Sequence, residues 1–374
     1  MKIGLAILDM DVESHGKILS LLHQAKNPNL YLDGQVNEDD LWRFFFETGF
    51  IYPGKYKFIR ENKEDLKALY KTIYSDSSKI AKHFIYQDQG EILGHMAMIR
   101  FYRKTWMIQH HASDNRSSNI AGIDVLDQIG RFINESSNLV SMNMDFVFCY
   151  YRSDNKFPNQ VFGGAARYIA EPKICSENSF SYFHYKKKDE KPSLELKEPW
   201  RLSSTEPQDL IELKIFYQEL TSGIMIDALE LVPESMDLGE LKDEYSHLGL
   251  KRERHLFSLR RENQLKAVFS INSADIGLNF SDITNSIHVF IIDSEELEVE
   301  ILEISLMKLS TFFSIKDIPI LIYPETYTEK HNIAVEKVYR FWTMDTRYLD
   351  YYYTFMGKFF RKLNSIQAAG VKGL

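Results

Sequence analysis

Two adjacent histidines are the clearest candidates for chemistry in this sequence. His110 and His111 end an apolar run over 105–112 whose pattern is typical of a β-strand. Because successive strand side chains point to opposite faces, we expect one imidazole to face a helix layer and the other a cleft, where it could act as a general base. His95 is a weaker candidate. The alternative is that all are sheet histidines with ordinary hydrogen-bond partners.

Other catalytic patterns are absent from the sequence. It contains no Gly-x-Ser-x-Gly, no phosphate-binding Gly-Lys-Ser, no Gly-x-Gly-x-x-Gly and no His-Glu-x-x-His. Its two cysteines, Cys149 and Cys175, lack the paired spacing of a zinc site and are too few for a disulfide framework. We therefore expect no metal site and a reducing compartment.

Length and composition indicate a globular protein with more than one domain. At 374 residues two domains are expected, and 44% hydrophobic with 13% aromatic residues can form large cores. The net charge of −8 gives no general attraction to nucleic acid or to an anionic membrane. The longest apolar runs are strand-length and no signal peptide is recognisable, so we predict a cytoplasmic protein without membrane spans.

Hydrophobic periodicity predicts alternating helices and strands in the first half of the chain. The predicted elements are helix 13–25, a turn-rich segment 26–40, helix 39–46, strand 56–60, helix 63–73, strands 83–87, 91–102 and 105–112, helix 119–134 and strand 145–151. Asp88-Gln89-Gly90 predicts a hairpin turn between the first two strands of that run.

The second half repeats this order after a charged, proline-containing linker at 186–199. Its predicted elements are strand 200–202, helices 207–219 and 238–248, strands 255–260, 264–272 and 286–293, helix 298–313 and strand 318–323. Corresponding elements keep a nearly constant offset along the chain, which indicates duplication of one α/β unit. The matched positions are His83 with His255, Glu91 with Gln264, and Asp145 with Ile318. We predict an N-terminal helical extension at 1–50, one domain at 51–188 and a second at 189–374.

This element order resembles the GNAT superfamily of acyltransferases, and the whole chain looks like bacterial tandem GNAT proteins. The resemblance implies an α/β fold with a mixed sheet in each copy. It also implies use of acetyl-CoA or another acyl-CoA, with the central strand 105–112 followed by a cofactor-binding loop at 113–122. In that family, main-chain amides at the start of the next helix hold the cofactor diphosphate, because they are unpaired and carry partial positive charge.

The family's loop pattern fits this sequence in part. Arg116 and Ala121 occupy matching positions, but Asn119 stands where glycine is expected, and Gly122 could compensate. The alternative is a polar loop in which Asn119 only caps the helix. The resemblance implies these cofactor-binding candidates in the loop: Ala112, Ser113, Arg116, Ser117, Ser118, Asn119, Ala121 and Gly122.

The resemblance also implies side chains after the fifth strand. Tyr151 and Tyr168 are the phenols nearest to the family's proton donor for the departing thiolate, although in a chain with 21 tyrosines a chance neighbour is an alternative. Asn155 and Asn159 match an asparagine that bonds the pantetheine arm, or they are plain turn residues. Residues 159–164 read as a helix that ends in a glycine turn.

The second copy has an acidic corner where the first has its loop. Residues 293–300 contain five acids, no basic residue and no glycine. Acids at this place would repel a phosphate, with on the order of 4 kcal/mol for one like-charge pair about 4 Å apart. We therefore predict that this copy is degenerate and has a structural role or recognises a protein partner.

Two functions are consistent with these patterns. In the first, the protein is an acyl-CoA-dependent N-acyltransferase whose first copy acylates an amine of a small molecule or protein. In the second, both copies form a non-catalytic scaffold or a ligand sensor in bacterial signalling.

Overall fold

The computed structural model describes residues 9–32, 36–51, 56–74, 78–114, 120–187 and 195–368. Contacts between them divide the chain into two compact units. Within the described ranges, the first unit holds 9–147, 244–249 and 276–280, and the second holds the remainder. No helix in these ranges is long and apolar enough to cross a membrane.

The helices of the first unit are α1 (Val12–Lys26), α2 (Glu38–Glu47), α3 (Tyr56–Glu61), α4 (Lys63–Ile73) and α5 (Ile120–Ser136). Polar side chains set the first two starts. Asp11 accepts a hydrogen bond from the amide of Ser14 before α1, and Asn37 accepts from the first amides of α2. The strand predicted over 56–60 is wrong, because this segment forms α3; its apolar residues at 56 and 59 are spaced as a helix requires.

The first unit contains an antiparallel sheet in the order β1, β2, β3, β4. The strands are β1 (Leu30–Leu32), β2 (Ala81–Asp88), β3 (Glu91–Tyr102) and β4 (Thr105–Ser113). The predicted hairpin joins β2 to β3, with positive φ at Gln89 and Gly90. β1 lies in the segment predicted as turns, and its three residues are too few to produce a periodic signal.

Helices cover both faces of this sheet. On one face, the ring of Phe132 in α5 packs 5.4 Å from that of Phe84 in β2, and both side chains are fully buried. Burying each such ring contributes about 1.5–3 kcal/mol. On the other face, Phe45 of α2 and Tyr70 of α4 pack against His95 of β3. The central histidines of β3 and β4 therefore lie in a helix-covered sheet.

The second unit contains a longer mixed sheet. Its strands are β5 (Phe146–Arg152, whose first two residues group with the first unit), β6 (Cys175–Lys186), β7 (Trp200–Ser204), β8 (Arg252–Arg261), β9 (Gln264–Ala274), β10 (Ser286–Ile291), β11 (Asp317–Tyr323) and β12 (Lys337–Asp345). Their order is β5, β12, β6, β11, β10, β9, β8, β7, and the β10–β11 pair is parallel. The sequence-based predictions omit β6 and β12.

The helices of the second unit are α6 (Lys156–Pro158), α7 (Gly164–Ile169), α8 (Pro207–Thr221), α9 (Met225–Ala228), α10 (Glu240–His247), α11 (Val299–Leu309), α12 (Glu325–Lys330) and α13 (Leu349–Ala368); the end of α10 groups with the first unit. A fully buried apolar cluster lies where α11 covers β9, β10 and β11. Phe269, Ile287 and Ile320 belong to it and have no exposed surface.

The last strands of the two copies exchange places. β6 ends the first copy in sequence, yet it hydrogen-bonds to β11 and β12 of the second copy, with Ser181 opposite both Ile322 and Val338. β12 ends the second copy and lies between β6 and β5. Sheet pairing therefore links the copies on both sides of 188. The domain boundaries at 50 and 188 are placed from the repeat in the sequence, and they stay a prediction.

The element order recurs, with one large difference in a connection. The β2–β3 hairpin starts at Ala81 and its second strand at Glu91, and the β8–β9 hairpin has a similar spacing, with starts at Arg252 and Gln264. The next strand does not keep this spacing. Residues 103–104 alone join β3 to β4, whereas the whole segment 275–285 joins β9 to β10. The second copy therefore has a much longer connection at this place than the first.

Candidate functional site

A β-bulge interrupts β4 at the two predicted histidines. His95 pairs with Ala112 and Ala97 with Gln109, so His110 and His111 together lie opposite a single residue of β3. His110 has a φ of +55°, a left-handed conformation that is uncommon for residues other than glycine. Such strained backbone persists only where the surroundings fix it, and it is frequent beside functional sites.

His111 points to the helix α5. Its Nε2 lies 3.1 Å from the carbonyl oxygen of Gly122, to which it donates a hydrogen bond. Burial lowers the pKa of His111, although the bond to Gly122 opposes this effect. The imidazole is therefore neutral at pH 7 and ties the end of β4 to the first turn of α5.

His110 lies on the opposite face, in a chain of four hydrogen bonds. Its Nε2 is 3.3 Å from the amide nitrogen of Phe280, and its Nδ1 is 3.2 Å from Tyr70 Oη. Tyr70 Oη is also 3.2 Å from His95 Nε2, and His95 Nδ1 is 2.9 Å from the carbonyl oxygen of His110. The polar groups of both rings are thus engaged.

The ends of this chain fix the direction of every bond in it. An amide can only donate and a carbonyl can only accept, so His110 Nε2 accepts from Phe280 and His95 Nδ1 donates to His110. With neutral rings, His110 Nδ1 then donates to Tyr70, which donates to His95. Burial lowers the pKa of His95 to about 4 and raises the pKa of Tyr70 well above its usual value, which keeps both groups neutral.

Residues 276–280, which we name the arm, cover the basic nitrogen of His110. The ring of Phe280 stacks on that of His110, with centroids 4.4 Å apart and planes at 18°. Gln109 Nε2 donates to the carbonyl of Leu278 at 2.9 Å, and Asn279 Nδ2 donates to Gln109 Oε1 at 2.9 Å. In this arrangement the Nε2 lone pair of His110 is occupied, so action as a base requires the arm to move.

Two glycines bring the first turn of α5 against the ends of β3 and β4. A Cβ atom on Gly94 would lie 2.7 Å from the carbonyl oxygen of Ala121, and one on Gly122 would lie 2.8 Å from the Cβ of Ser113. The first turn of α5 contains no acidic residue. Its dipole is therefore not compensated by a carboxylate of its own first turn.

The remaining loop candidates are placed only in part. Ala112 and Ala121 are buried, and Ser113 is partly exposed at the end of β4. The other four predicted positions, Arg116, Ser117, Ser118 and Asn119, lie outside the described residues. Their contribution to a cofactor site stays a prediction.

The side chains predicted at and after the end of β5 separate into two groups. Tyr151 donates a hydrogen bond to Glu177 of β6, and burial together with this carboxylate raises the pKa of the phenol. A Cβ atom on Gly163 would lie within 3.0 Å of both Tyr151 Oη and Asn159 Oδ1, so these two candidates are neighbours. Tyr168 and Asn155 are exposed. Asn155 accepts a hydrogen bond from the amide of Asn159 only through its backbone carbonyl, and Lys358 Nζ lies 2.7 Å from Tyr168 Oη.

The helix after β5 differs from the prediction. Residues Asn159–Gly163 form a π-helical turn that continues into α7, and the end comes at Ala170, which has a positive φ. The predicted glycine turn at 163–164 is therefore wrong. Single π-helical turns occur often at functional sites, and here the turn directs Asn159 to Arg167, whose Nη2 donates to the carbonyl of Asn159 at 2.9 Å.

The acidic corner of the second copy is closed by its own side chains. Asp293 Oδ1 accepts hydrogen bonds from the amides of Glu295 and Glu296 at 3.1 Å each. The buried Lys266 of β9 contacts Asp293 at 2.8 Å and Glu296 at 2.9 Å. Burial opposes the charge of Lys266, but these bonds outweigh it and raise its pKa. These amides are therefore not open to a phosphate.

Sequence patterns miss several residues that surround His110. Tyr70 belongs to the predicted helix over 63–73, but nothing in its spacing marks it as a hydrogen-bond partner. Phe280 comes from the opposite half of the chain, and the only signal that could have found it is the extra length of the β9–β10 connection. Among the described residues, no cluster of histidine, cysteine and acidic side chains could hold a metal ion.

No protein-family model and no curated protein sequence matches the chain. It is similar to the solved structure of a GCN5-related N-acetyltransferase from Sphaerobacter thermophilus, with 8% identity, a TM-score of 0.41 and coverage of 85% of this chain and 96% of that one. A tandem GNAT protein from the clavulanic acid biosynthesis pathway is similar with 9% identity, a TM-score of 0.35 and coverage of 71% of this chain and 83% of that one. For an acetyltransferase from Streptococcus agalactiae the values are 10%, 0.29, 46% and 93%.

These neighbours include a GNAT acetyltransferase and a tandem GNAT protein. The sequence resembles the same superfamily. The described helices and strands confirm the mixed α/β fold class, with one element order present twice.

Proposed function

We propose that the first copy binds acyl-CoA beside the β4 bulge and transfers its acyl group to an amine of a small molecule or protein. The observation that carries this proposal is the bulge itself, which lies next to a helix start without acids. Unpaired amides at a helix start bind phosphate groups, and the glycines at 94 and 122 let this helix start approach the strand ends.

Residues of this chain would divide the work between the two faces of β4. The first-turn amides of α5, with Arg116, would hold the diphosphate, and His111 would keep that turn against the strand. The cofactor supplies the acyl group as a thioester, which an amine can attack. Two ring nitrogens of the hydrogen-bonded chain accept, Nε2 of His110 and Nε2 of His95, and burial lowers the pKa of His95 to about 4, so His110 Nε2 is the candidate to accept the proton of the attacking amine. Tyr151 and Tyr168 stay predicted proton donors.

Thermal unfolding with and without acetyl-CoA tests the binding step. A ligand at 100 times its dissociation constant stabilises the native state by about 2.7 kcal/mol, so we expect a clear rise in Tm. Arg116→Glu should remove this rise, because a carboxylate would face the diphosphate. Arg131→Glu is the matched control: it makes the same charge change in α5, 11 residues or roughly 16 Å from the helix start.

Two results would contradict this proposal. If millimolar acetyl-CoA leaves the Tm of the wild-type protein unchanged, the first copy does not bind the cofactor. If the stabilisation survives Arg116→Glu, the cofactor binds somewhere other than the loop at 113–122. Acyl transfer to amines is then measured separately, because binding alone does not establish catalysis.

A second candidate function is non-catalytic ligand binding, as in a sensor or scaffold. The hydrogen bond from the arm to His110 favours it, because an occupied base cannot take a proton. This function predicts stabilisation by acyl-CoA without release of coenzyme A in the presence of amines. Transfer of a radiolabelled acetyl group to any amine would exclude it.

For the second copy we propose a degenerate, structural role or recognition of a protein partner. The support is the corner at 293–300, where Asp293 occupies the amides and Lys266 neutralises the acids. Lys266→Met should therefore lower stability without creating any stabilisation by acetyl-CoA in the Arg116→Glu background.

A further inference from the structure

Residues 277–280 of the arm are anchored to the elements around the bulge, whereas Ile276 is exposed. Gly277, with a φ of +99°, passes so close to Leu66 of α4 that a side chain at 277 would collide with it. The amide of Gln109 bonds to both Leu278 and Asn279. All of these contacts lie within the first unit.

Phe280 completes an aromatic wall over His110. Its ring lies 6.0 Å from that of Tyr70 at an angle of 26°, and 5.7 Å from that of Trp42. Phe280, Trp42 and Tyr70 are all at least 95% buried. An acceptor molecule therefore has no access to His110 Nε2 while the arm is in place.

The arm covers the ring nitrogen of His110 that the direction of the hydrogen bonds makes an acceptor. The backbone groups at its two ends make Nε2 of His110 the accepting nitrogen, and Nε2 is also the nitrogen that the arm covers. A segment that only filled a gap in the core would need the ring of Phe280, but not the bond from its amide to Nε2.

We propose that residues 276–280 form an autoinhibitory plug, which closes the acceptor side of the first copy and must leave before His110 can act as a base. The catalytic part of this inference rests on the proposed function. With the plug displaced, Nε2 takes a proton from water and the resulting hydroxide forms a C–O bond to the thioester carbon. The C–S bond then breaks, and the thiolate takes the proton from His110, which yields coenzyme A and acetic acid, which loses its proton to water at neutral pH.

Two substitutions weaken the plug in different ways. Phe280→Leu keeps the backbone amide and an apolar side chain but removes the stacking on His110. Asn279→Ala removes one of the two bonds to Gln109 and leaves the aromatic wall intact. Phe269→Leu is the matched control, because Phe269 is fully buried in the apolar cluster of the second unit and the change is chemically the same.

Each full-length variant is treated with diethyl pyrocarbonate, which modifies accessible neutral imidazole nitrogens, and labelling of His110 is measured by mass spectrometry. Release of coenzyme A from acetyl-CoA is followed with a thiol reagent, so no acceptor amine has to be known. Because a weaker plug opens more often, we expect both rates to rise about tenfold in Phe280→Leu or Asn279→Ala and not in the control. If Phe280→Leu does not fold, Asn279→Ala carries the test.

The outcomes separate the plug from the proposed function. Labelling at the control rate in folded Phe280→Leu and Asn279→Ala overturns the plug. Faster labelling with acetyl-CoA bound, but with no faster release of coenzyme A, overturns its autoinhibitory role. Faster labelling without any stabilisation by acetyl-CoA confirms that the arm covers His110 and contradicts the proposed function.

Discussion

Hydrogen-bond direction decides what single residues can do in this protein. The sequence predicts His110 and His111 as an alternating pair with one ring at a helix layer and the other at a cleft. The two rings do lie on opposite faces of β4, but His110 faces no cleft, because Tyr70 and Phe280 bury it. What spacing could not predict is which nitrogen accepts, because that depends on Phe280, 170 residues away in the chain. The same holds for Tyr151: its type and place at the end of β5 suggest a proton donor, but its hydroxyl already donates a hydrogen bond to Glu177.

The buried His95 gives the protein a pH-dependent stability. Its pKa is lowered to about 4 in the native state, below the ordinary value of 6.5, so the unfolded chain binds more protons between these limits. The contribution of His95 to the free energy of unfolding is therefore fully present above about pH 6.5. It falls by about 3 kcal/mol as the pH is lowered towards 4. Urea unfolding at a series of pH values measures this slope.

His95→Gln should remove about 3 kcal/mol of that dependence, because glutamine has no proton to gain and can still bond to Tyr70. The buried His288, whose pKa burial lowers to about 3, keeps its own contribution. His247→Gln, at an exposed position in α10, is the control and should keep the wild-type slope. An unchanged slope in His95→Gln would mean that other groups cause the acid sensitivity.

At the scale of elements, local pattern and long-range pairing contribute differently. Periodicity predicts α5 well, because Leu126, Ile129 and Ile133 recur at helical spacing and are buried. β4 is predicted from its short run of strand-forming residues, although both of its faces are largely buried. Periodicity misses β6, in which serines and Asn178 are buried among aromatic residues, so the alternation of apolar and polar residues is lost. β6 is a strand because β11 and β12 supply its hydrogen bonds, and a local window contains neither partner.

The approach of α5 to the sheet is tested by a methyl group. Gly94→Ala should lower the free energy of unfolding by about 1–3 kcal/mol, because the added Cβ meets the backbone oxygen of Ala121. Gly357 lies at an exposed position in α13, where an added Cβ would meet no neighbouring atom within 4 Å. Gly357→Ala should therefore raise the free energy of unfolding by about 0.5–1 kcal/mol. Chemical denaturation measures both values, and a stable Gly94→Ala variant would contradict the packing of α5.

At the scale of the whole chain, the sequence predicts the duplication but not the exchange of strands between the copies. Similar spacing of most strands over the two halves, with β4 and β10 as the exception, predicts two copies of one order. The predicted linker at 186–199 suggests copies that separate cleanly. Spacing contains no information about which strand ends in which sheet, and the exchange of β6 and β12 follows from hydrogen bonds formed only in the folded chain.

Cutting the chain tests this exchange. Residues 1–187 expressed alone should be insoluble or unfolded, because β6 would lose both neighbours. Co-expressed with residues 195–374, the same fragment should co-purify as a folded complex with the thermal unfolding of the intact protein. Two fragments that are each soluble, folded and unassociated would contradict the exchanged strands. The readout is size-exclusion chromatography followed by circular dichroism.

The exchange of β6 also has a consequence for synthesis. Ser181 is opposite Ile322, so all of the chain between these two positions must be translated before this strand meets the first of its two neighbours. At about 5–20 residues per second, a ribosome needs roughly 7–28 s for that length. Throughout this interval the nascent first half carries an unsatisfied β-strand, which makes it a natural client for the chaperones that receive chains at the ribosomal exit.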